Sequence, residues 1–129
     1  MKITQELLDS LTAQAKVWPR LRMNMDLRNS SADTSQRMLN AIEPGSVVPV
    51  HRHRNTSETV VCLRGSLVEE FYSSAGKVEA SFEVAAGGDC CALNIPAGVW
   101  HTLKSLESGT VILEVKDGAY VPIGEDDIL

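Results

Sequence analysis

The stretch Gly45-Ser-Val-Val-Pro-Val-His51-Arg-His53-Arg-Asn-Thr-Ser-Glu58-Thr-Val-Val-Cys-Leu-Arg-Gly65 holds two of the three histidines of the chain. The third follows in Pro96-Ala-Gly98-Val-Trp-His101. On an extended strand, residues two apart project from the same face, so His51 and His53 are predicted to direct two imidazoles toward one point. Glu58 adds a carboxylate oxygen, and His101 can complete the set from a neighbouring strand. The pattern predicts that His51, His53, Glu58 and His101 bind one metal ion.

The donor types narrow the choice of ion. Three imidazoles and one carboxylate, with no thiolate, suit one divalent transition metal ion, namely Fe, Mn, Ni, Co or Zn, and geometry and supply decide among them. Structural zinc sites are usually closed by cysteines, so this site is not expected to be a purely structural one. An octahedral ion with four protein ligands keeps two positions open for water or a substrate. Glu58 has an alternative role, in which it hydrogen-bonds a coordinating imidazole instead of binding the ion itself.

The spacing from Gly45 to Gly65 resembles the first motif of the cupin superfamily at every defined position. The segment Pro96 to His101 resembles the second cupin motif, although its leading glycine lies early and Ser105 stands where that motif usually has Asn. Two further segments, Gln36-Arg-Met-Leu-Asn-Ala41 and Leu113-Glu-Val-Lys-Asp-Gly-Ala-Tyr-Val-Pro122, look like the small single-domain cupin metalloproteins of the WbuC family. This resemblance implies an all-β fold, a single cupin (jelly-roll) antiparallel barrel with an N-terminal α-helix.

The pattern of short apolar runs agrees with that fold. Helical spacing of leucines predicts a helix over residues 4–17, ended by Trp18-Pro19. Strands are predicted near residues 36–43, 47–51, 58–64, 66–72, 78–85, 90–95, 100–105 and 110–116, with a possible edge strand within 22–28. We expect one domain, in which residues 1–19 form a helix packed on the barrel and residues 20–129 form the barrel.

The composition of the chain indicates which partners and which location to expect. The 129 residues carry a net charge of -5, which argues against nucleic acid as a partner because phosphate binding requires a basic surface. No apolar run approaches the roughly 20 residues of a membrane span. We therefore expect that the protein does not bind a membrane and that it is cytoplasmic. The three cysteines, Cys62, Cys90 and Cys91, are odd in number and are expected to be reduced thiols.

Four other polar residues on predicted strands are weaker candidates for binding a substrate, namely Arg37, Asn40, Arg64 and Glu114. Each lies on a strand whose side chains alternate between the two faces, so each points either into the barrel or to solvent. An inward Arg37 or Arg64 would favour an anionic substrate. No residue is identified as a separate general base, and the catalytic residues stay unknown.

Several functions remain open at this stage. The WbuC resemblance implies a metal-binding cupin that acts on or binds a small oxygen-rich molecule, a sugar or sugar-nucleotide derivative in polysaccharide or O-antigen-type biosynthesis. Whether the protein is an enzyme stays open at this point, and so does the reaction class, with isomerase- or epimerase-like and dioxygenase activities as the candidates. The alternatives are a non-catalytic, metal-dependent binding or sensing module and an Fe(II) dioxygenase, since fold alone does not decide function. A homodimer is expected, because cupins commonly cover exposed sheet edges by pairing subunits.

Overall fold

The computed structural model describes residues 1–129 as one α-helix, eight strands and a final 3-10 turn. Helix α1 spans Gln5–Val17. The strands are β1 (Arg22–Asp26), β2 (Ser35–Ile42), β3 (Glu58–Arg64), β4 (Ser66–Tyr72), β5 (Val78–Ala85), β6 (Ala92–Ile95), β7 (Trp100–Ser105) and β8 (Val111–Asp117). Seven of the eight predicted strands are present within two residues of their predicted ends, and β1 is the predicted edge strand.

The strands form two antiparallel sheets. The first has five strands in the order β1-β2-β8-β3-β6, and the second has three in the order β5-β4-β7. Their facing surfaces enclose an apolar core of buried residues: Ile42, Val60, Cys62, Leu67, Val84, Ile95, Leu103 and Ile112. Because side chains alternate along a strand, each strand contributes every second residue to this interior. The all-β, antiparallel architecture predicted from the sequence is confirmed.

Helix α1 covers the outer face of the five-stranded sheet. The Thr4 hydroxyl caps it by accepting a hydrogen bond from the Leu7 N–H at 3.2 Å. Its buried side chains include Leu8 and Leu11, which pack against Leu39 in a second apolar cluster outside the barrel. The expected helix is therefore present, one residue shorter than predicted because Thr4 is the cap.

Gly65 shows why the turn between β3 and β4 requires glycine. Its φ of 82° lies in the left-handed region. A Cβ added there would lie 2.8 Å from the Thr110 Cα and closer still to the Thr110 hydroxyl. The turn can pass this close to Thr110, the residue before β8, only without a side chain.

The predicted strand over residues 47–51 is absent, and this prediction was wrong. Residues 47–50 have no regular structure, and His51 forms only isolated bridges, to His101 and to Ile128. Pro49 has no N–H to donate to a ladder. The Arg52 N–H donates instead to the Asp127 carbonyl at 3.0 Å. The histidine pair therefore lies on an extended loop, not on a regular strand.

The C-terminal segment returns to this loop. The Leu129 N–H donates to the Val50 carbonyl at 2.8 Å. One carboxylate oxygen of Asp127 accepts from Arg52 Nε at 3.0 Å and from Arg54 Nε at 2.6 Å. Residues 118–129 are thereby fixed across the end of the barrel that carries the histidines.

None of the helices is both long and apolar enough to cross a lipid bilayer.

Candidate metal and ligand site

Two backbone hydrogen bonds join the histidine loop to β7. The His51 N–H donates to the His101 carbonyl at 3.0 Å, and the His101 N–H donates to the His51 carbonyl at 2.8 Å. This narrow antiparallel pair places the two side chains side by side, and their ring centroids are 4.4 Å apart. The two sequence motifs thus meet at one point of the barrel.

Both of these imidazoles are held with one nitrogen free. Nδ1 of His51 lies 2.8 Å from the Pro49 carbonyl, and Nδ1 of His101 lies 2.9 Å from the Val99 carbonyl. A carbonyl only accepts, so each Nδ1 donates its N–H to that carbonyl, and Nε2 is left as the nitrogen available to a ligand or an ion. This is the second-sphere arrangement typical of metal-binding histidines.

The free nitrogen of His101 indicates that an ion fits at this point. His101 is 3% exposed, and its Nε2 has no hydrogen-bond partner. A buried polar atom without a partner is costly, and most such atoms are satisfied by protein, water or an ion. Ligand nitrogens of His51, His53 and His101 all lie within 4.8 Å of one another. The three imidazoles are therefore close enough together to hold a transition metal ion.

Glu58 lies at the edge of this group. One carboxylate oxygen is 3.1 Å from His53 Nε2, and the other is 3.8 Å from His101 Nε2. Burial alone would raise the pKa of Glu58, but the imidazoles of His101 and His53 outweigh it and hold that pKa below its ordinary value. Glu58 is therefore an ionised carboxylate beside the imidazoles, close enough to bind an ion or to orient His53.

Protonation of His51 is disfavoured in the fold. Burial, reinforced by the neighbouring His101, lowers the pKa of His51 to about 4. Metal binding requires the neutral imidazole. His51 is thus ready to coordinate throughout the neutral pH range.

The histidines open into a cavity of about 260 Å³ inside the barrel. This is close to the roughly 300 Å³ at which small-molecule pockets begin. Its wall combines apolar residues of the core with side chains of both sheets and of the C-terminal segment, which contributes Tyr120, Val121, Ile123 and Ile128. Nothing in the sequence indicated that this segment would form part of the wall.

Glu69 is the principal residue that sequence reasoning missed. It lines the cavity from β4, it is 1% exposed, and both of its carboxyl oxygens lack a partner. Burial, with the Glu58 charge as the next contribution, raises the pKa of Glu69 to about 9. A signal was present in the sequence, because Glu69 lies between Leu67 and Phe71 on the apolar face of its strand.

Of the four weaker candidates, two line the cavity. Glu114 and Asn40 face each other across β8 and β2, with Asn40 Nδ2 donating to Glu114 Oε1 at 3.4 Å. Burial, followed by the Glu58 charge, raises the pKa of Glu114 to about 7. The cavity therefore holds three carboxyl groups, of which Glu69 and Glu114 bind protons more firmly than usual.

Arg37 and Arg64 lie outside the cavity, so they do not supply the anion-binding group considered from the sequence. Arg37 pairs with Asp33 at 2.8 Å. Arg64 reaches back to the helix, where Nη1 is 2.6 Å from an Asp9 carboxylate oxygen. Strand alternation explains the position of Arg37, because its neighbour Met38 faces the cavity. At Arg64 the alternation breaks, because the register of β3 against β8 shifts between Cys62 and Arg64, and the Arg64 side chain lies on the helix side together with Leu63.

Three other basic residues line the cavity. Arg20, Arg22 and Lys116 line it, and none of them was predicted. Met23 and Met25 pack toward the helix, so the alternation along β1 directs Arg22 and Asn24 into the barrel. This alternation was visible in the sequence.

The raised pKa of Glu69 predicts a pH dependence of stability in the metal-free protein. Glu69 ionises near pH 4.5 when unfolded but near pH 9 when folded, so its contribution is complete below pH 4.5 and is lost as pH rises toward 9. The free energy of unfolding should fall by about 1 kcal/mol per pH unit between pH 7 and 8. Glu69→Gln, neutral at every pH, should remove most of this slope and leave the smaller contribution of Glu114, as measured by urea unfolding with chelator present.

The control is Glu70→Gln. Glu70 points to the other face of β4, where it lies 3.2 Å from Lys104. This variant should keep the slope of the parent protein. An unchanged slope in Glu69→Gln would show that Glu69 is ionised in the folded state.

Similarity to solved structures supports the fold. KdgF from Halomonas sp. superposes with a TM-score of 0.63 at 14% identity, covering 81% of this chain and 85% of KdgF. The capsular polysaccharide assembling protein CapF from Staphylococcus aureus gives a TM-score of 0.68 at 19% identity over 82% of this chain and 30% of CapF. The cupin domain of Schizosaccharomyces pombe Cnp3 gives 0.59 at 13% identity over 76% of this chain and 65% of that domain.

These identities are low enough that the likeness establishes the fold alone, which is the cupin barrel. A search of curated proteins gives no match. One family model, described as Domain of unknown function (DUF6016), matches residues 3–84. That match spans more than half of the 129 residues and includes both β1 and the whole histidine loop. The chain therefore belongs to the DUF6016 family and has the cupin fold.

Proposed function

We propose that this protein is a metal-dependent cupin of the WbuC type that acts on a small oxygen-rich molecule, a sugar or sugar-nucleotide derivative in polysaccharide or O-antigen-type biosynthesis. The observation that carries the proposal is the unpartnered Nε2 of buried His101 beside the imidazoles of His51 and His53. The cavity beside these nitrogens supports a small-molecule ligand. CapF, a fold relative, is described as a capsular polysaccharide assembling protein, which agrees with the proposed setting.

Under this proposal, His51, His53 and His101 hold one divalent transition metal ion, with Glu58 as fourth ligand. The bound ion would supply a Lewis acid that polarises an oxygen atom of the ligand. Glu58 brings the one negative charge of the proposed ligand set, so it increases the attraction for a divalent cation. The remaining chemistry depends on the other residues of the cavity.

Glu69 is the proposed proton carrier. Its carboxyl group lines the cavity and has no hydrogen-bond partner in the protein. In the metal-free cavity the pKa of Glu69 is raised to about 9, so Glu69 is a carboxylic acid there; we propose that it donates a proton to one atom of a ligand and recovers one from another. This supports an isomerase- or epimerase-like reaction, in which a proton leaves one position and returns at another without an external oxidant.

The proposed ligand set predicts distinct effects for two variants. His53→Ala removes one imidazole and should weaken Co(II) binding by more than about 100-fold. Glu58→Gln keeps the shape of the side chain but removes its charge. If Glu58 binds the ion, metal loss should be comparable to that of His53→Ala; if it only orients His53, affinity should fall by roughly 10-fold to 100-fold.

Metal affinity is measured by titration of chelator-treated protein, with Asn55→Ala, exposed in the same loop, as the control. The control should bind as the parent does. Parental affinity in His53→Ala would contradict the three-histidine site, and parental affinity in Glu58→Gln would remove Glu58 from it.

The proposed reaction is tested with metal-loaded protein in D₂O and a panel of sugars and sugar nucleotides. We expect deuterium incorporation or an epimer in one substrate, detected by NMR and mass spectrometry. Glu69→Gln should slow this exchange by about 100-fold or more, while Glu70→Gln should not change it. Oxygen consumption with Fe(II) would favour a dioxygenase instead, and a ligand that binds tightly but is recovered unchanged would favour a binding or sensing module.

We further propose that the protein forms a homodimer. Strand β5 ends the three-stranded sheet, and its Val78 side chain is 50% exposed. Such an uncovered edge with apolar side chains favours pairing with a second copy. Sedimentation velocity at micromolar concentration should give about twice the 14.0-kDa mass of the chain, and a single 14.0-kDa species would contradict the dimer.

A further inference from the structure

We propose that Arg20 and Arg22 form an anion-binding subsite in the cavity, which receives a carboxylate or phosphate group of a polyhydroxylated ligand. This inference rests on the proposed small-molecule function of the cavity and specifies the class of molecule that enters it. Both arginines line the cavity that contains the three histidines. The ligand would thus be a sugar acid or a sugar phosphate rather than a neutral sugar.

The pairing of arginines across the protein sets these two apart. The chain has seven arginines, and five of them lie within 4.0 Å of a carboxylate: Arg28, Arg37, Arg52, Arg54 and Arg64. Arg20 and Arg22 have no such partner, although the protein carries a net charge of -5. The two guanidinium groups without a carboxylate partner therefore both line this cavity, Arg22 half-buried and Arg20 exposed to solvent.

Arg22 is fixed in place by neutral acceptors. Its Nη1 donates to the Val47 carbonyl at 2.8 Å and to the Ser46 hydroxyl at 3.3 Å. These contacts orient the guanidinium group without neutralising its charge. Partial burial, with the neighbouring Arg20 charge, lowers the pKa of Arg22. A ligand anion would offset both of these unfavourable effects, and a planar guanidinium group suits a carboxylate or phosphate with two parallel hydrogen bonds.

Arg20 reaches the same region from the turn before β1. Its carbonyl accepts from the Ser46 hydroxyl at 2.7 Å, whereas its side chain forms no hydrogen bond within the protein. The intervening Leu21 has a φ of 55°, in the left-handed region that leucine rarely adopts. The backbone at this turn is thus tied to the same serine that holds Arg22, which keeps the two cationic side chains together.

The rest of the cavity indicates hydroxyl groups on the same ligand. Both carboxyl oxygens of Glu69 and the Oδ1 atom of Asn40 are buried without partners. A protonated Glu69 offers one O–H donor and one acceptor, and Asn40 Oδ1 is an acceptor; the hydroxyl groups of a sugar both donate and accept, so they suit these atoms. A ligand with hydroxyls along one part and an anion at one end matches these residues and the arginine pair together.

The experiment compares three probes of similar size: sorbitol, which is neutral, D-gluconate, a carboxylate, and sorbitol 6-phosphate. Binding to Co(II)-loaded protein is measured by calorimetry and repeated on chelator-treated protein. We expect at least one anionic probe to bind about 10-fold or more tightly than sorbitol, with the preference decreasing as salt increases. The better anion identifies whether the subsite suits a carboxylate or a phosphate.

Arg20→Gln and Arg22→Gln should each reduce that preference by about 10-fold or more. Arg20→Gln removes no hydrogen bond within the protein, so it tests the charge even if Arg22→Gln perturbs the Val47 segment. Lys77→Gln makes the same change in net charge on an exposed turn and should leave the preference unchanged. Metal content is measured in every variant and should equal that of the parent protein.

The subsite is overturned if neither anion binds more tightly than sorbitol, or if the preference persists in both arginine variants. An equal loss in Lys77→Gln would also overturn it, because long-range charge would then explain the effect. These outcomes are separate from failure of the proposed metal function. If the parent protein binds no metal but chelator-treated protein still prefers an anion through Arg20 and Arg22, the subsite holds and only the metal function fails.

Discussion

The pair of backbone hydrogen bonds between His51 and His101 is the constraint on which the site depends. It joins an irregular loop to β7, a strand of the three-stranded sheet. The same loop leads into β3 of the five-stranded sheet, of which Glu58 is the first residue. Imidazoles from segments 50 residues apart in sequence are thereby placed in contact across the barrel end. Neither motif could assemble the cluster alone, because each contributes only part of the donor set.

The electrostatics of the cavity follow from placing charge inside a small barrel. Glu58 is ionised because two imidazoles face it, whereas Glu69 has no such neighbour and retains its proton. Two carboxyl groups in one cavity thus differ in charge because their surroundings differ, which is how proteins assign opposite roles to similar side chains. A bound cation would act on both groups, so metal binding and the protonation of Glu69 are expected to be linked.

The sequence predicted the helix, the antiparallel barrel and the four residues proposed to bind the metal, because these depend on local periodicity and on fixed spacing. It did not predict the irregular path of residues 47–50, where Pro49 cannot enter a ladder and long-range pairing decides the conformation. Glu69 was missed although it interrupts an apolar strand face. The orientations of Arg37 and Arg64 required the register of β2 and β3, which sequence alone does not provide.

The C-terminal segment illustrates a different limit of prediction. Its position depends on Asp127, whose carboxylate accepts hydrogen bonds from Arg52 and Arg54, the residues that alternate with the cavity-lining histidines. These arginine partners hold the pKa of Asp127 below its ordinary value. Successive side chains along this loop therefore point in opposite directions, with the imidazoles toward the cavity and the guanidinium groups toward the C-terminal segment. Because one short loop supports both contacts, we expect that moving the C-terminal segment would also move the imidazoles of the histidines.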